Sequence, residues 1–87
     1  MTRYTLGIRI DNILTDMIEL ILTAEYLSKE KKLPQLQEFS KKLDILKYFI
    51  NILWKMKAIP NNKYIIISDQ LGHIGRMLGK WLKSFSS

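Results

Sequence analysis

The stretch NKYIIISDQLGHIGRMLGKWLKS, residues 62–84, decides the fold class. Its β-branched run, residues 65–67, is typical of a strand when taken alone. The run continues in phase, however, with apolar residues that recur at steps of three and four, which is the spacing of one face of an α-helix. The segment is therefore predicted to be helical throughout. Its apolar face consists of Tyr64, Ile67, Leu71, Ile74, Leu78 and Trp81.

Two breaks divide the rest of the chain into two more helices. Pro60 stops the preceding helix, and Asn62 is predicted to cap the next one. Further back, the charged stretch 28–32 precedes Pro34, and proline suits the first turn of a new helix. Long helices joined by short loops predict an all-α, up-down antiparallel bundle that forms one domain over residues 1–87. The three predicted helices are residues 6–27, 34–58 and 62–84.

The first two helices are too apolar for a bundle of three. The polar residues of helix 6–27 form only a narrow stripe, so this helix is predicted to lie in the middle, covered on several sides. Helix 34–58 carries a second apolar strip as well. Three packed helices cannot bury that much apolar surface, and the excess predicts either a missing helix or an oligomer.

Charge is distributed unevenly along the 87 residues, whose net charge is +6. Residues 1–28 hold two arginines against four carboxylates, whereas residues 29–87 hold eleven lysines and one arginine against four carboxylates. Such a field attracts polyanions. The chain has no cysteine, which excludes disulfides and thiolate metal sites. Without a signal sequence or an apolar span, it is expected to be cytoplasmic and not to enter a membrane.

A row of cationic residues on the third helix is the candidate binding surface. These residues recur at helical steps, and lysines of the second helix are predicted to extend the surface toward nucleic acid or a protein partner. Tyr64 and Trp81 fall on the apolar side, so contacts to phosphates are expected rather than stacking on bases. The alternative is a solvated face that only keeps the protein soluble. The candidate residues are His73, Arg76, Lys80 and Lys83 with Lys41, Lys42, Lys47, Lys55 and Lys57.

Small residues form a second feature of the same helix. Ser68, Gly72, Gly75 and Gly79 lie on one strip, where another helix backbone can approach closely. Each glycine inside a helix costs about 1 kcal/mol relative to alanine, so a packing contact must offset that cost. Two interpretations remain open: close packing within one subunit, or a helix–helix contact between subunits.

Residues for catalysis or metal binding are sparse. His73 is the only histidine, and Asp69, one helical turn before it, is more simply a surface partner than the orienting group of a catalytic imidazole. No nucleophile constellation and no glycine-rich phosphate loop accompany it. The chain is therefore predicted not to be an enzyme and to bind neither a metal nor a cofactor.

Two segments carry a family resemblance. YTLGIRID (residues 4–11) and IGRMLGKWLK (residues 74–83) resemble the second and the last helix of the Avd family. These proteins are the accessory variability determinants of diversity-generating retroelements. They are related to the four-helix-bundle proteins encoded in 23S ribosomal RNA intervening sequences. The resemblance spans nearly the whole chain, and the last-helix segment is its most specific part.

The resemblance implies a function. It implies a non-enzymatic basic bundle that forms a homo-oligomer, a pentamer in that family, binds RNA or DNA, and associates with a reverse transcriptase to support mutagenic cDNA synthesis. Arg76, Lys80 and Lys83 would then face the transcriptase or its RNA. The family's first helix has no counterpart here, so a four-helix bundle lacking that helix is expected. The alternative is a structural protein–protein interaction module without nucleic-acid binding.

Overall fold

The computed structural model describes residues 2–86, with side chains from Thr2 to Phe85. Its helices are α1 (Arg3–Ala24), α2 (Lys29–Lys55) and α3 (Asn61–Ser86). Within these residues there is no strand, so the all-α prediction and the three predicted helices are confirmed. The β-branched run 65–67 is helical, as its phase indicated. That residues 1–87 form one domain stays a prediction.

The first helix begins three residues earlier than the predicted start at residue 6. The Thr2 hydroxyl accepts a hydrogen bond from the backbone N–H of Thr5 at 3.1 Å, and the Thr5 hydroxyl accepts one from the N–H of Thr2 at 2.9 Å. This reciprocal capping box satisfies two N–H groups and fixes the start of the helix. At the other end α1 stops at Ala24, where Tyr26 and Leu27 close tighter turns.

The predicted start of the second helix at Pro34 is wrong, because α2 begins at Lys29. Ser28 is extended and precedes the helix, and its carbonyl accepts hydrogen bonds from the N–H groups of Lys31 and Lys32. Glu30 lies in the first turn, where a negative charge complements the helix dipole. Pro34 is exposed in the second turn of the helix, where it lacks the N–H that would donate one i→i−4 hydrogen bond.

The turn between α2 and α3 is tightly held. Lys57 adopts a left-handed backbone, with φ of 61°. The N–H of Ala58 donates to the carbonyl of Leu53 at 2.9 Å, and that of Lys57 to the carbonyl of Trp54 at 2.9 Å. Glycine usually occupies this left-handed position after a helix, so Lys57 bears some backbone strain.

Side chains also hold the start of α3. The Trp54 indole N–H donates to the Asn61 side chain at 2.6 Å, and the Trp54 and Tyr64 rings stack with centroids 4.6 Å apart. The Asn51 amide donates to the Tyr64 hydroxyl at 2.8 Å. Asn62, the predicted cap, lies one residue inside the helix. The cap prediction was wrong because Asn61 and not Asn62 is the first helical residue.

The middle position belongs to α2, so the prediction that the first helix is central is wrong. Both α1 and α3 pack on α2, and within the described helices no Cα atom of α1 lies within 8 Å of one in α3. Short turns place each helix against its neighbour in the sequence, which makes the second of three helices the shared one. The core of α2 faces both neighbours through Leu36, Phe39, Leu43, Leu46 and Ile50.

The predicted excess of apolar surface is present on α1. Leu6, Ile10 and Met17 are buried, but exposed residues lie on the neighbouring face of the helix. Leu14 is 41% exposed and Leu22 is 54% exposed, with Ile18 at 60% between them. A helix that is apolar nearly all round is thus covered on one side only.

Candidate nucleic-acid interface

Four basic residues of α3 form one outward-facing row, which we call the α3 ridge: His73, Arg76, Lys80 and Lys83. All four are exposed. The ridge faces solvent because Leu71 and Leu78, on the other side of the helix, are buried in the core. At a rise of 1.5 Å per residue, the ridge extends over about 15 Å.

The structure brings Lys47 of α2 next to this ridge. A cleft of about 300 Å³ between α2 and α3 is lined by Lys47 and Arg76, with Ser40 and Asp44 beside them. The Lys47 ammonium lies 3.3 Å from the point where a side chain on Gly75 would begin. The cation of α2 therefore extends the positive surface of α3 across the cleft.

Lys42 is one of the candidates that the structure places away from the ridge. Its ammonium lies 3.4 Å from the Asp16 carboxylate, on the flank where α1 meets α2. The two side chains are 25% and 50% exposed, so the pair is screened by water and contributes little to stability. Its charge is nevertheless matched within the chain, on the side of α2 away from the ridge.

The remaining candidate lysines lie along the back of α2 and at its end. Lys41 and Lys55 are both exposed and almost four helical turns apart, so they share one face of the helix. Lys57 is in the turn, where its backbone closes α2. These lysines add positive charge beyond the ridge, without being gathered with it.

The glycine strip is packed at one position only. A side chain on Gly75 would meet Leu43 at 3.7 Å as well as Lys47. At Gly72 only the Arg76 guanidinium comes near, at 3.5 Å, and at Gly79 no heavy atom of the described side chains lies within 4 Å. Packing within the subunit thus explains Gly75 and not the other two. A contact between subunits, at Ser68, Gly72 and Gly79, stays a prediction.

Replacing Gly79 with alanine tests whether this glycine is free of close contacts within the subunit. Because nothing blocks a methyl group there, Gly79→Ala is expected to raise the free energy of unfolding by about 1 kcal/mol, through helix propensity alone. Urea denaturation at low protein concentration, where assembly contributes least, measures the change. Gly75→Ala serves as the control and should gain less, since Lys47 must move. A loss of stability in Gly79→Ala would show that the glycine is needed for a close contact.

The described residues offer no assembled catalytic centre. His73 and Asp69 are both exposed, and no ion pair joins them in the described part of the chain, so the surface pair expected from their spacing is not formed. Among residues 2–86 no three histidine, aspartate or glutamate side chains are grouped so that they could hold a metal ion. None of the described helices combines the length and apolarity needed to cross a membrane.

A comparison with known protein families shows to which family this chain belongs. A family model described as bAvd-like matches residues 1–85. The chain belongs to the bAvd-like family. The predicted resemblance to Avd proteins is thereby confirmed, and the family is of an accessory, non-catalytic kind. No curated protein and no solved structure matches the chain.

Two residues of the cleft beside the α3 ridge were not predicted from the sequence. Ser40 and Asp44 line the cleft beside Lys47 and Arg76 but were not among the predicted residues. Their spacing could have indicated that they accompany Lys47, because residues 40, 44 and 47 lie on one face of α2. Which neighbouring helix that face meets was not readable from the sequence, and here it meets α3.

Proposed function

We propose that this bAvd-like chain is a cytoplasmic, non-enzymatic accessory protein of a diversity-generating retroelement. It binds RNA or DNA through the α3 ridge and associates with a reverse transcriptase to support mutagenic cDNA synthesis. The observation that carries the proposal is the outward row of cations on α3. The sequence of α3 holds three lysines and one arginine against a single carboxylate side chain, Asp69, so the helix carries an excess of positive charge.

The geometry favours contacts to the phosphate backbone. Neighbouring ridge residues are three or four positions apart, so their stems lie about 5–6 Å from one another on the helix surface. Arginine and lysine side chains at this spacing can follow consecutive phosphates of a strand. The Trp54 and Tyr64 rings stack on each other, which leaves those faces closed to bases. Contacts to phosphates carry no sequence information, so binding through the ridge is expected to be weakly specific for sequence.

The acidic side of the molecule orients the nucleic acid. Asp11, Asp16 and Glu19 are exposed on α1, which packs on α2 and has no described Cα atom within 8 Å of one in α3. These carboxylates repel a polyanion, whereas Lys47 in the cleft beside α3 attracts one. The strand is thus expected to follow the α2–α3 side and to avoid α1.

The salt dependence of binding tests the proposal. For a fluorescently labelled single-stranded RNA of unrelated sequence, each phosphate contact contributes about −0.7 to the slope of log affinity against log salt. Four contacts then predict an affinity loss of about 50-fold between 50 and 200 mM salt. Fluorescence anisotropy measures it. An affinity that varies less than about twofold over this range, or the absence of binding at the lowest salt, would contradict the proposal.

The second candidate function is a protein–protein interaction module without nucleic-acid binding. The exposed apolar residues of α1 favour it, because an exposed stripe of this kind marks an interaction surface. The salt experiment distinguishes the two functions, since a module that only docks helices should not bind RNA at any salt concentration. The family resemblance adds a homo-oligomer to our proposal, with the pentamer as the first state to test by native mass measurement.

A further inference from the structure

The cleft between α2 and α3, beside the α3 ridge, carries charges of both signs. Its volume of about 300 Å³ is at the lower end of the range for ligand pockets. Asp44 and Lys47 of α2 and Arg76 of α3 line it, and the buried side chains of Leu43 and Leu78 contribute apolar lining. The cleft therefore combines two cations with one carboxylate, whereas the ridge holds only basic residues.

Both cations of the cleft lie against glycines of α3. The Lys47 ammonium is 3.3 Å from the position that a Cβ atom would take at Gly75, and one guanidinium nitrogen of Arg76 is 3.5 Å from that position at Gly72. Such positions, three residues apart on a helix, are separated by about 5–6 Å. Because glycine has no side chain, a strand can approach the helix closely here. The two cations can therefore contact the same short stretch of a phosphate backbone.

Asp44 is the residue of the cleft that phosphate binding alone does not explain. It is exposed and lies three residues before Lys47 on α2, yet no ion pair joins it to Lys47 or Arg76 in the described part of the chain. An ionised carboxylate only accepts hydrogen bonds, and the oxygens of a phosphodiester have no hydrogen to donate. The carboxylate thus requires a hydrogen-bond donor next to the phosphate.

The charge balance of the cleft favours an internal phosphate of a strand. Two cations and one carboxylate leave a single positive charge, which one phosphodiester neutralises. A terminal phosphate carries a charge of about −1.5 to −2 and would place its second charge beside Asp44. The ligand that fits is therefore a strand running through the cleft, and not a phosphorylated end or a free nucleotide.

The sugar donor nearest to an internal phosphate is the 2′-hydroxyl of ribose. DNA has only hydrogen at that position, so this hydroxyl is what distinguishes the two backbones. The stems of Asp44 and Lys47 are about 5–6 Å apart on the helix surface, which suits a sugar and its adjoining phosphate. An amino group on a base is the other available donor, but it lies farther from the phosphate.

We propose that Asp44 distinguishes RNA from DNA by accepting a hydrogen bond from a ribose 2′-hydroxyl, while Lys47 and Arg76 hold the adjoining phosphate. This inference rests on the proposed function, since it requires a nucleic-acid strand along the α2–α3 side. A hydrogen bond to a charged acceptor contributes about tenfold to affinity at an exposed site. Single-stranded RNA should therefore bind about tenfold more tightly than DNA of the same sequence.

Affinities for matched oligonucleotides test the recognition of the sugar. Fluorescence anisotropy at constant salt compares single-stranded RNA, DNA and 2′-fluoro RNA that share one sequence of adenine and cytosine, so that only the sugar differs. 2′-Fluoro RNA keeps the ribose pucker but lacks the donor, and it should bind as weakly as DNA.

The outcomes of this comparison separate two failures. Equal affinities for RNA and DNA would overturn this inference and leave the proposed function intact, whereas the absence of binding to all three strands would overturn both. If 2′-fluoro RNA binds as tightly as RNA, the preference comes from the shape of the strand, and the role of Asp44 is refuted.

Asp44→Ala tests the residue itself. The variant lacks the acceptor, so the ratio of RNA to DNA affinity should fall from about tenfold to about one. Asp44 is exposed, so the fold should persist, which circular dichroism checks. Asp69→Ala is the matched control, because Asp69 is exposed on α3 and does not line the cleft. Its loss of one negative charge should strengthen the binding of both strands and leave the ratio unchanged.

A ratio that survives Asp44→Ala, or that falls equally in Asp69→Ala, would overturn the proposal. Recognition of a base is separated by repeating the comparison with adenine-rich and cytosine-rich strands. If Asp44 accepts instead from the amino group of cytosine, RNA and DNA alike should bind more tightly when rich in cytosine. A preference that follows the base and not the sugar would also overturn the proposal.

Discussion

Replacing Arg76, Lys80 and Lys83 together by glutamate is expected to abolish RNA binding. At 0.1 M salt each phosphate contact contributes about fivefold to the affinity, so the loss of three contacts alone predicts about a 100-fold decrease. The three new carboxylates add repulsion to this loss. All three residues are exposed, so the helical fold should persist, which circular dichroism checks. Fluorescence anisotropy at constant salt measures the affinity.

Single substitutions separate the position of a charge from its number. Lys80→Gln and Lys42→Gln each remove one positive charge, but Lys42 is paired with Asp16 on the other side of α2. Lys80→Gln should therefore weaken binding about fivefold, and Lys42→Gln less than about twofold. Equal losses would show that only the net charge of the protein matters. The triple variant Arg76→Lys, Lys80→Arg, Lys83→Arg keeps the charge and should still bind.

The largest effect on stability is expected at Leu43. This side chain is 2% exposed, lies on the central helix and contacts the Gly75 region of α3. Leu43→Ala should lower the free energy of unfolding by about 3–4 kcal/mol, since a buried leucine is replaced by a cavity. The total free energy of unfolding of a domain of this size is about 5–10 kcal/mol, so the loss is a large share of it. Much of the variant protein should therefore unfold on mild heating.

Urea denaturation followed by circular dichroism measures the loss. Ile45→Ala is the matched control on the same helix, because Ile45 is 45% exposed and its truncation should cost less than about 1 kcal/mol. Similar losses from Leu43→Ala and Ile45→Ala would contradict the placement of α2 at the centre of the core.

Apolar spacing was sufficient to predict the helices, and local hydrogen bonds decided where they begin. The residues from Tyr64 to Trp81 keep one phase over the β-branched run, so helix was predicted correctly there. The starts of α1 and α2 were missed because they depend on the Thr2–Thr5 capping box and on the Ser28 carbonyl. Such contacts involve a few polar atoms and leave no periodic pattern.

The candidate site, like the helices, was predicted from the sequence only in part. That the α3 ridge faces solvent follows from its own helix, since Arg76 lies opposite the buried Leu71 and Leu78. The partners of the α2 lysines depend instead on which helix lies beside each face. Lys42 meets Asp16 of α1, whereas Lys47 meets Gly75 of α3. Spacing along one helix could not distinguish these two surroundings.

A titration of the isotopically labelled protein with a short single-stranded RNA, followed by amide NMR shifts, tests the central claim most directly. We expect the shifts to concentrate at the α3 ridge and at Lys47, with little change along the acidic flank of α1 around Asp16 and Glu19. Shifts spread evenly over the three helices, or centred on α1, would contradict a nucleic-acid interface on α3.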